Sequence, residues 1–234
     1  MSKSAAGDPP SVRDPWLFTG LCLLTVVTGM VDATSFLGLG EVFTANMTGN
    51  VLLLGFAATG SSAVNINHLS FTGTLVALGA FVAGAVAGGA VAGRRGRPPR
   101  LGAGFALEWL VLLGAVATLV GRQPYGDVRY GAVALLGLSM GVQNAVVRRM
   151  GLPDVNTTVL TTTLGGLAAD VVEIGGRPTN AGRRIATITF IFIGAIIGGV
   201  LERHGAQWSS TGAVVVMTVA WVALGLSGAL RAIA

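Results

Sequence analysis

Six stretches of this chain are apolar for long enough to cross a lipid bilayer, and short charged loops separate them. Apolar segments run over Trp16–Leu37, Val51–Ala58, Leu69–Ala92, Leu101–Val120, Tyr130–Val147, Val159–Val172, Ile185–Leu201 and Thr211–Leu230. A crossing helix needs about 20 mostly apolar residues. Val51–Ala58 falls short, since its span at about 1.5 Å per residue is far less than a bilayer's apolar thickness. Val159–Val172 is borderline and opens with threonines. Only 11% of the 234 residues are charged and 52% are hydrophobic. A soluble domain carries roughly twice that charged share.

The charged residues then discriminate between eight crossings and six. With eight, the 15 Lys and Arg residues divide almost evenly between the two sides. With six crossings, and with the second and sixth segments dipping in and returning, the division becomes lopsided. One side then carries Lys3, Arg13, Arg94, Arg95, Arg97, Arg100, Arg148, Arg149, Arg177, Arg183, Arg184 and Arg231, and the other only Arg122, Arg129 and Arg203. Basic residues accumulate on the cytoplasmic side. The expected fold is therefore an all-α membrane protein with six transmembrane helices and two re-entrant half-helices, both termini cytoplasmic, in a bacterial inner membrane. The polar tail over residues 1–15 reads as a cytoplasmic segment before an uncleaved first helix.

Internal self-similarity refines this picture. Gly84-Ala85-Val86-Ala87-Gly88-Gly89 matches Gly194-Ala195-Ile196-Ile197-Gly198-Gly199, and Gly29-Met30-Val31-Asp32-Ala33 matches Gly141-Val142-Gln143-Asn144-Ala145. Met47-Thr48-Gly49-Asn50 matches Leu160-Thr161-Thr162-Thr163. The order is kept, so residues 16–121 and 122–234 read as two copies of one unit. With three crossings in each, the second copy lies inverted relative to the first. Inverted repeats with broken segments in matching positions are common in transporters, whose sites sit near the midplane.

The candidate path follows from polar residues at membrane depth. Thr25, Thr28, Gly29 and Asp32 share one narrow helical face. A carboxylate in a span costs about 2–3 kcal/mol or more, so Asp32 is expected to face the bundle interior, with the amides of Asn46, Asn50 and Asn144 as partners. Gain and loss of a proton there would suit proton-coupled movement. Asn46 or Thr48 can cap the first half-helix, and Gly49 permits close approach of a backbone or solute. Free N–H groups at such a helix start form a ready anion site. Asn50, Gln143, Asn144, Thr158 and Thr161 complete the expected substrate path. Threonines in membrane helices also bond their own backbone or a neighbouring helix, and Gln143-Asn144 can serve as helix–helix glue. Glu108, Asp170 and Glu173 are secondary candidates.

Other chemistries are excluded or weakened. No P-loop is present and the sole lysine is Lys3, which argues against ATP-driven transport. His68 and His204 do not form a metal-ligand spacing, and no cofactor is implied. The basic balance reflects loop charges at helix ends, so no nucleic-acid partner is expected. Gly137-Leu138-Ser139-Met140-Gly141 fits G-x-S-x-G, but that motif needs a strand–turn–helix setting, and here it lies within an apolar helix. No enzyme is expected. The partners are the lipid bilayer and a small-molecule or ion solute, with a homo-oligomer left open.

At these residues the chain resembles the YoaK family of uncharacterised bacterial membrane proteins. The resemblance is carried by Gly29-Met30-Val31-Asp32-Ala33, by Phe43-Thr44-Ala45-Asn46-Met47-Thr48-Gly49-Asn50 and by Met140-Gly141-Val142-Gln143-Asn144-Ala145. It extends from about Asp14 to Arg231, and the family reads Thr-Gly where this chain has Thr161-Thr162. The resemblance implies a multi-pass permease-like protein and supplies no substrate. The expected function is a secondary transporter or facilitator of a small polar or anionic solute. A gated channel and a non-transporting scaffold or partner subunit are the alternatives.

Overall fold

A computed structural model describes residues 14–58, 71–93, 100–150 and 181–228. Seven helices lie within them: α1 (Pro15–Gly38), α2 (Met47–Ala58), α3 (Phe71–Val91), α4 (Leu101–Leu119), α5 (Gly126–Arg149), α6 (Ala181–Glu202) and α7 (Ala206–Leu226). All but α2 are long and apolar enough to span a membrane. The second expected half-helix, with Thr158 and Thr161, lies outside the described residues, as do Asp170 and Glu173.

Local sequence explains where these helices start. Pro15 opens α1, where its missing N–H is harmless, and Asp14 accepts hydrogen bonds from the N–H groups of Trp16 and Leu17. The first helix ends in a turn in which Gly40 and Glu41 have φ of 98° and 57°. A left-handed backbone of this kind suits glycine and is uncommon for glutamate. The short helix α2 begins at Met47 rather than Val51, because Asn46 caps it by accepting from the Gly49 N–H at 3.4 Å. Its 12 residues still reach only about 18 Å. It packs on α3, and Val51, Leu52 and Phe56 on its surface are exposed.

Two three-helix clusters make up the bundle. The first is α1 with α6 and α7, and the second is α5 with α3 and α4; α4 touches α7, and α1 touches α5, where the clusters meet. Thus α1 is seated on helices from the far end of the sequence. Its central window is 72% buried, against 17% for α6, which leaves much of α6 for lipid.

Glycines allow the closest contacts. A side chain at Gly29 would strike the Ile191 carbonyl, and one at Gly194 would strike that of Val26. In the other cluster Gly84 lies against the Leu138 carbonyl and Gly141 against that of Phe81. Gly198 faces Met30 and Ala33, while Gly88 faces Val142 and Ala145. These approaches bring backbones together and gain dispersion contacts, which drive association where lipid is as apolar as the side chains.

The same contacts fix helix directions. The pairs Val26–Gly194 and Met30–Gly198 make α1 and α6 parallel, and Leu138–Gly84 and Val142–Gly88 do so for α5 and α3. Helices α1 and α7 are antiparallel: Gly20 meets Leu224, and the Thr34 and Ser209 hydroxyls bond at 2.6 Å. Helix α4 is antiparallel to α7, through Trp109 with Thr218 and Gly121 with Gln207. It is also antiparallel to α5, through Gly104 with Val146 and Gly114 with Leu135. Accordingly α1, α4 and α6 point one way, and α3, α5 and α7 the other.

Candidate functional site

Asp32 is the centre of the best-defined polar cluster. Its Oδ1 accepts hydrogen bonds from the main-chain N–H groups of Thr44 (2.9 Å) and Ala45 (2.8 Å). The Asn46 N–H also bears on the carboxylate. Its expected partners were side-chain amides; the partners found are peptide groups of the strap that leads into α2. The strap can reach Asp32 because the Gly40-Glu41 turn sends the chain back along α1. Thr44 and Ser35 hydroxyls, 3.2 Å apart and both buried, tie it further to α1.

Asn50 holds the other end of that strap. Fully buried, it accepts from the Phe43 N–H at 3.0 Å and donates to the Phe43 carbonyl at 2.5 Å. One side-chain amide thereby satisfies both main-chain groups of Phe43, the role a neighbouring strand would play. Thr48 is exposed on the first turn of α2. A side chain at Gly49 would meet the Phe43 ring at 2.9 Å and the Asn46 amide at 3.2 Å, so what approaches Gly49 is its own loop. Before and within the first turn of α2, the Thr44 and Ala45 N–H groups are thus engaged by Asp32 and the Gly49 N–H by Asn46.

Gln143 and Asn144 part company. Gln143 is buried and donates to Thr28 Oγ1 at 2.9 Å, linking α5 to α1. Thr28 and Thr25 bond their own helix, to the Leu24 and Leu21 carbonyls, as the structural reading of membrane threonines anticipates. Asn144 instead lines a cavity of about 490 Å³ with Ala85, Gly89, Ala145, Arg148 and Arg149. Asp32 lines another, of about 520 Å³, with Gly29, Ala33, Phe36, Leu37, Phe43, Ile188, Ile191, Phe192 and Ala195. Its walls are apolar apart from the carboxylate. Phe36 and Phe43 stack there with ring centroids 4.8 Å apart.

These aromatic and basic linings escaped the sequence reading. Phe36 was within reach of it, one helical turn beyond Asp32; Phe192 and Ile188 were not, since they arrive from a helix more than 150 residues away. Glu108 gains weight. It is 0% exposed, and neither carboxylate oxygen has a hydrogen-bond partner among the described residues. Also among them, no three His, Cys, Asp and Glu side chains group to hold a metal.

A helical bundle with six apolar spans and polar side chains gathered at membrane depth defines a multi-pass transmembrane protein. The chain belongs to the family described as "Protein of unknown function (DUF1275)", whose pattern matches residues 20–225. It is similar to UPF0700 transmembrane protein YoaK of Bacillus subtilis (strain 168), with 34% identity over 156 residues. That match covers 65% of this chain and 66% of the relative, just under two thirds of its length. No solved structure matches.

Proposed function

We propose that this protein moves a small polar solute across a bacterial inner membrane, as a secondary transporter or facilitator built from an inverted repeat. The observation that carries the reading is the pair of cavities. Asp32 and Ala33 line one, Asn144 and Ala145 the other, and these pairs are separated by the same 112 positions. Because α1 and α5 run in opposite directions, the two cavities lie toward opposite faces of the bundle. The glycine contacts support the repeat in the same way: Gly29–Ile191 recurs as Gly141–Phe81, and Gly194–Val26 as Gly84–Leu138. Matched cavities toward opposite faces suit alternating access, in which the two halves of an inverted repeat open the path to one face at a time.

The topology belongs to the same proposal. Helices α1 and α3 point in opposite directions, as do α5 and α6, so in each pair the second helix starts on the face where the first ends. For the first, α2 supplies a helix too short to cross, which favours a re-entrant segment. In sequence, the twelve basic residues named above flank the six helix ends on one face, which favours that face as the cytoplasmic one.

Proteoliposomes test the pathway. Osmotic swelling or counterflow would be followed with a panel of small polar solutes, for the natural chain and two filled-cavity variants. Ile188→Trp obstructs the Asp32 cavity, and Gly89→Trp, at a position with no neighbour within 4 Å, obstructs the Asn144 cavity. Each is expected to cut flux at least tenfold while the protein stays folded. Flux unchanged in both would remove the two-vestibule pathway and leave a scaffold.

A further inference from the structure

The two cavities differ in chemistry, and the one beside α2 is the more telling. Its single charged group is Asp32. The peptide N–H groups that hold Asp32 orient it without supplying a positive charge. No lysine, arginine or histidine lines the cavity. Around the carboxylate stand the stacked pair Phe36 and Phe43, with Phe192, Ile188 and Ile191 opposite. Phe192 is 65% exposed, so this wall is reachable from the apolar side of α6.

We infer that this cavity binds a small organic ammonium ion, the Asp32 carboxylate pairing with its charge and the three phenylalanines enclosing its apolar body. The inference rests on the pathway reading for its biological role, though not for its chemistry. Other classes fit less well. An anion would face a carboxylate, and the Thr44 and Ala45 N–H groups beside it are already engaged by Asp32. A divalent metal ion needs six or more oxygen ligands for calcium, or an octahedral shell for magnesium, and one carboxylate among hydrocarbon walls offers neither. A neutral apolar solute would make no use of the one polar group in the cavity. An ammonium supplies a counter-charge, and aromatic faces attract it through their quadrupoles. At about 520 Å³, the space matches a typical small-molecule site.

The experiment uses the purified full chain in detergent, with tetramethylammonium and phenethylammonium as probes. Phenylacetate and 2-phenylethanol are the anionic and neutral counterparts of the second. Saturable thermal stabilisation reports binding, because a ligand stabilises the state it binds. The ammonium probes are expected to bind at least tenfold more tightly than either counterpart. Asp32→Asn should weaken them tenfold or more while leaving 2-phenylethanol unchanged. Since Asp32 also anchors the strap into α2, Ile188→Trp is the second variant; it fills the cavity, keeps every amide contact, and should abolish binding. Equal response to ammonium and alcohol, preference for phenylacetate, or full binding by Ile188→Trp would each overturn the assignment. Ammonium binding without uptake of the probe by proteoliposomes would uphold the site and count against the pathway. Solute flux that Ile188→Trp blocks, without ammonium binding, would do the reverse.

Discussion

Glu108 shows how much a single side chain in a bilayer depends on what surrounds it. It sits near the middle of α4 with no exposure and no hydrogen-bond partner among the described residues. A buried polar group without a partner costs about 1–3 kcal/mol. Replacing it with an apolar residue of similar volume removes that cost. Glu108→Met is therefore expected to raise the thermal midpoint in detergent, by an amount equivalent to about 1–3 kcal/mol. A lowered midpoint would show that the carboxyl has a structural partner after all. From sequence Glu108 ranked only second, since an acidic residue in an apolar run could equally sit at an interface, and its full burial follows from packing alone. Asp32 is the converse. Its inward orientation followed from the cost of a carboxylate in hydrocarbon, whereas its peptide partners depend on a left-handed turn at Gly40 and Glu41 that composition does not announce.

Helix by helix, small residues have two distinct roles. In α3, Gly84 and Gly88 lie against the α5 backbone, while Gly79 and Gly89 have open space around them. Glycine inside a helix costs up to about 1 kcal/mol relative to alanine. Gly79→Ala should accordingly be neutral or slightly stabilising. Gly84→Ala has to push α5 away and should lose about 1–3 kcal/mol, read as a lower melting temperature. Equal behaviour of the two variants would mean that α3 and α5 are not in backbone contact. The strap before α2 depends on Asn50 in a comparable way. Asn50→Ala removes two hydrogen bonds to Phe43 and should cost about 1–3 kcal/mol, read as a lower melting temperature. The helices themselves were legible, because a bilayer demands length and apolarity from each span. Which helix packs on which was not, since every glycine row looks alike until its partner is known.

For the molecule as a whole, orientation is testable with single cysteines. The sole native thiol, Cys22, is buried, so a Cys22→Ala background gives a clean start. Gln123→Cys and His204→Cys are expected to react with a membrane-impermeant maleimide added to intact cells. Arg100→Cys and Arg149→Cys should react only after lysis. Labelling of Arg149→Cys together with His204→Cys would break the six-crossing scheme.

The seating of α1 also bears on how the protein is made. A ribosome delivers helices in sequence order, and α1 enters the bilayer first. Its main partners, α6 and α7, are the last two described spans to follow. Until they arrive, Thr34, Gly29 and the half-buried Asp32 face lipid or an insertase, with only the α2 strap available to satisfy the carboxylate. That strap emerges immediately after α1, so the most expensive group in the first helix is sheltered early by its nearest neighbour in sequence, and the wait for the distant helices becomes tolerable.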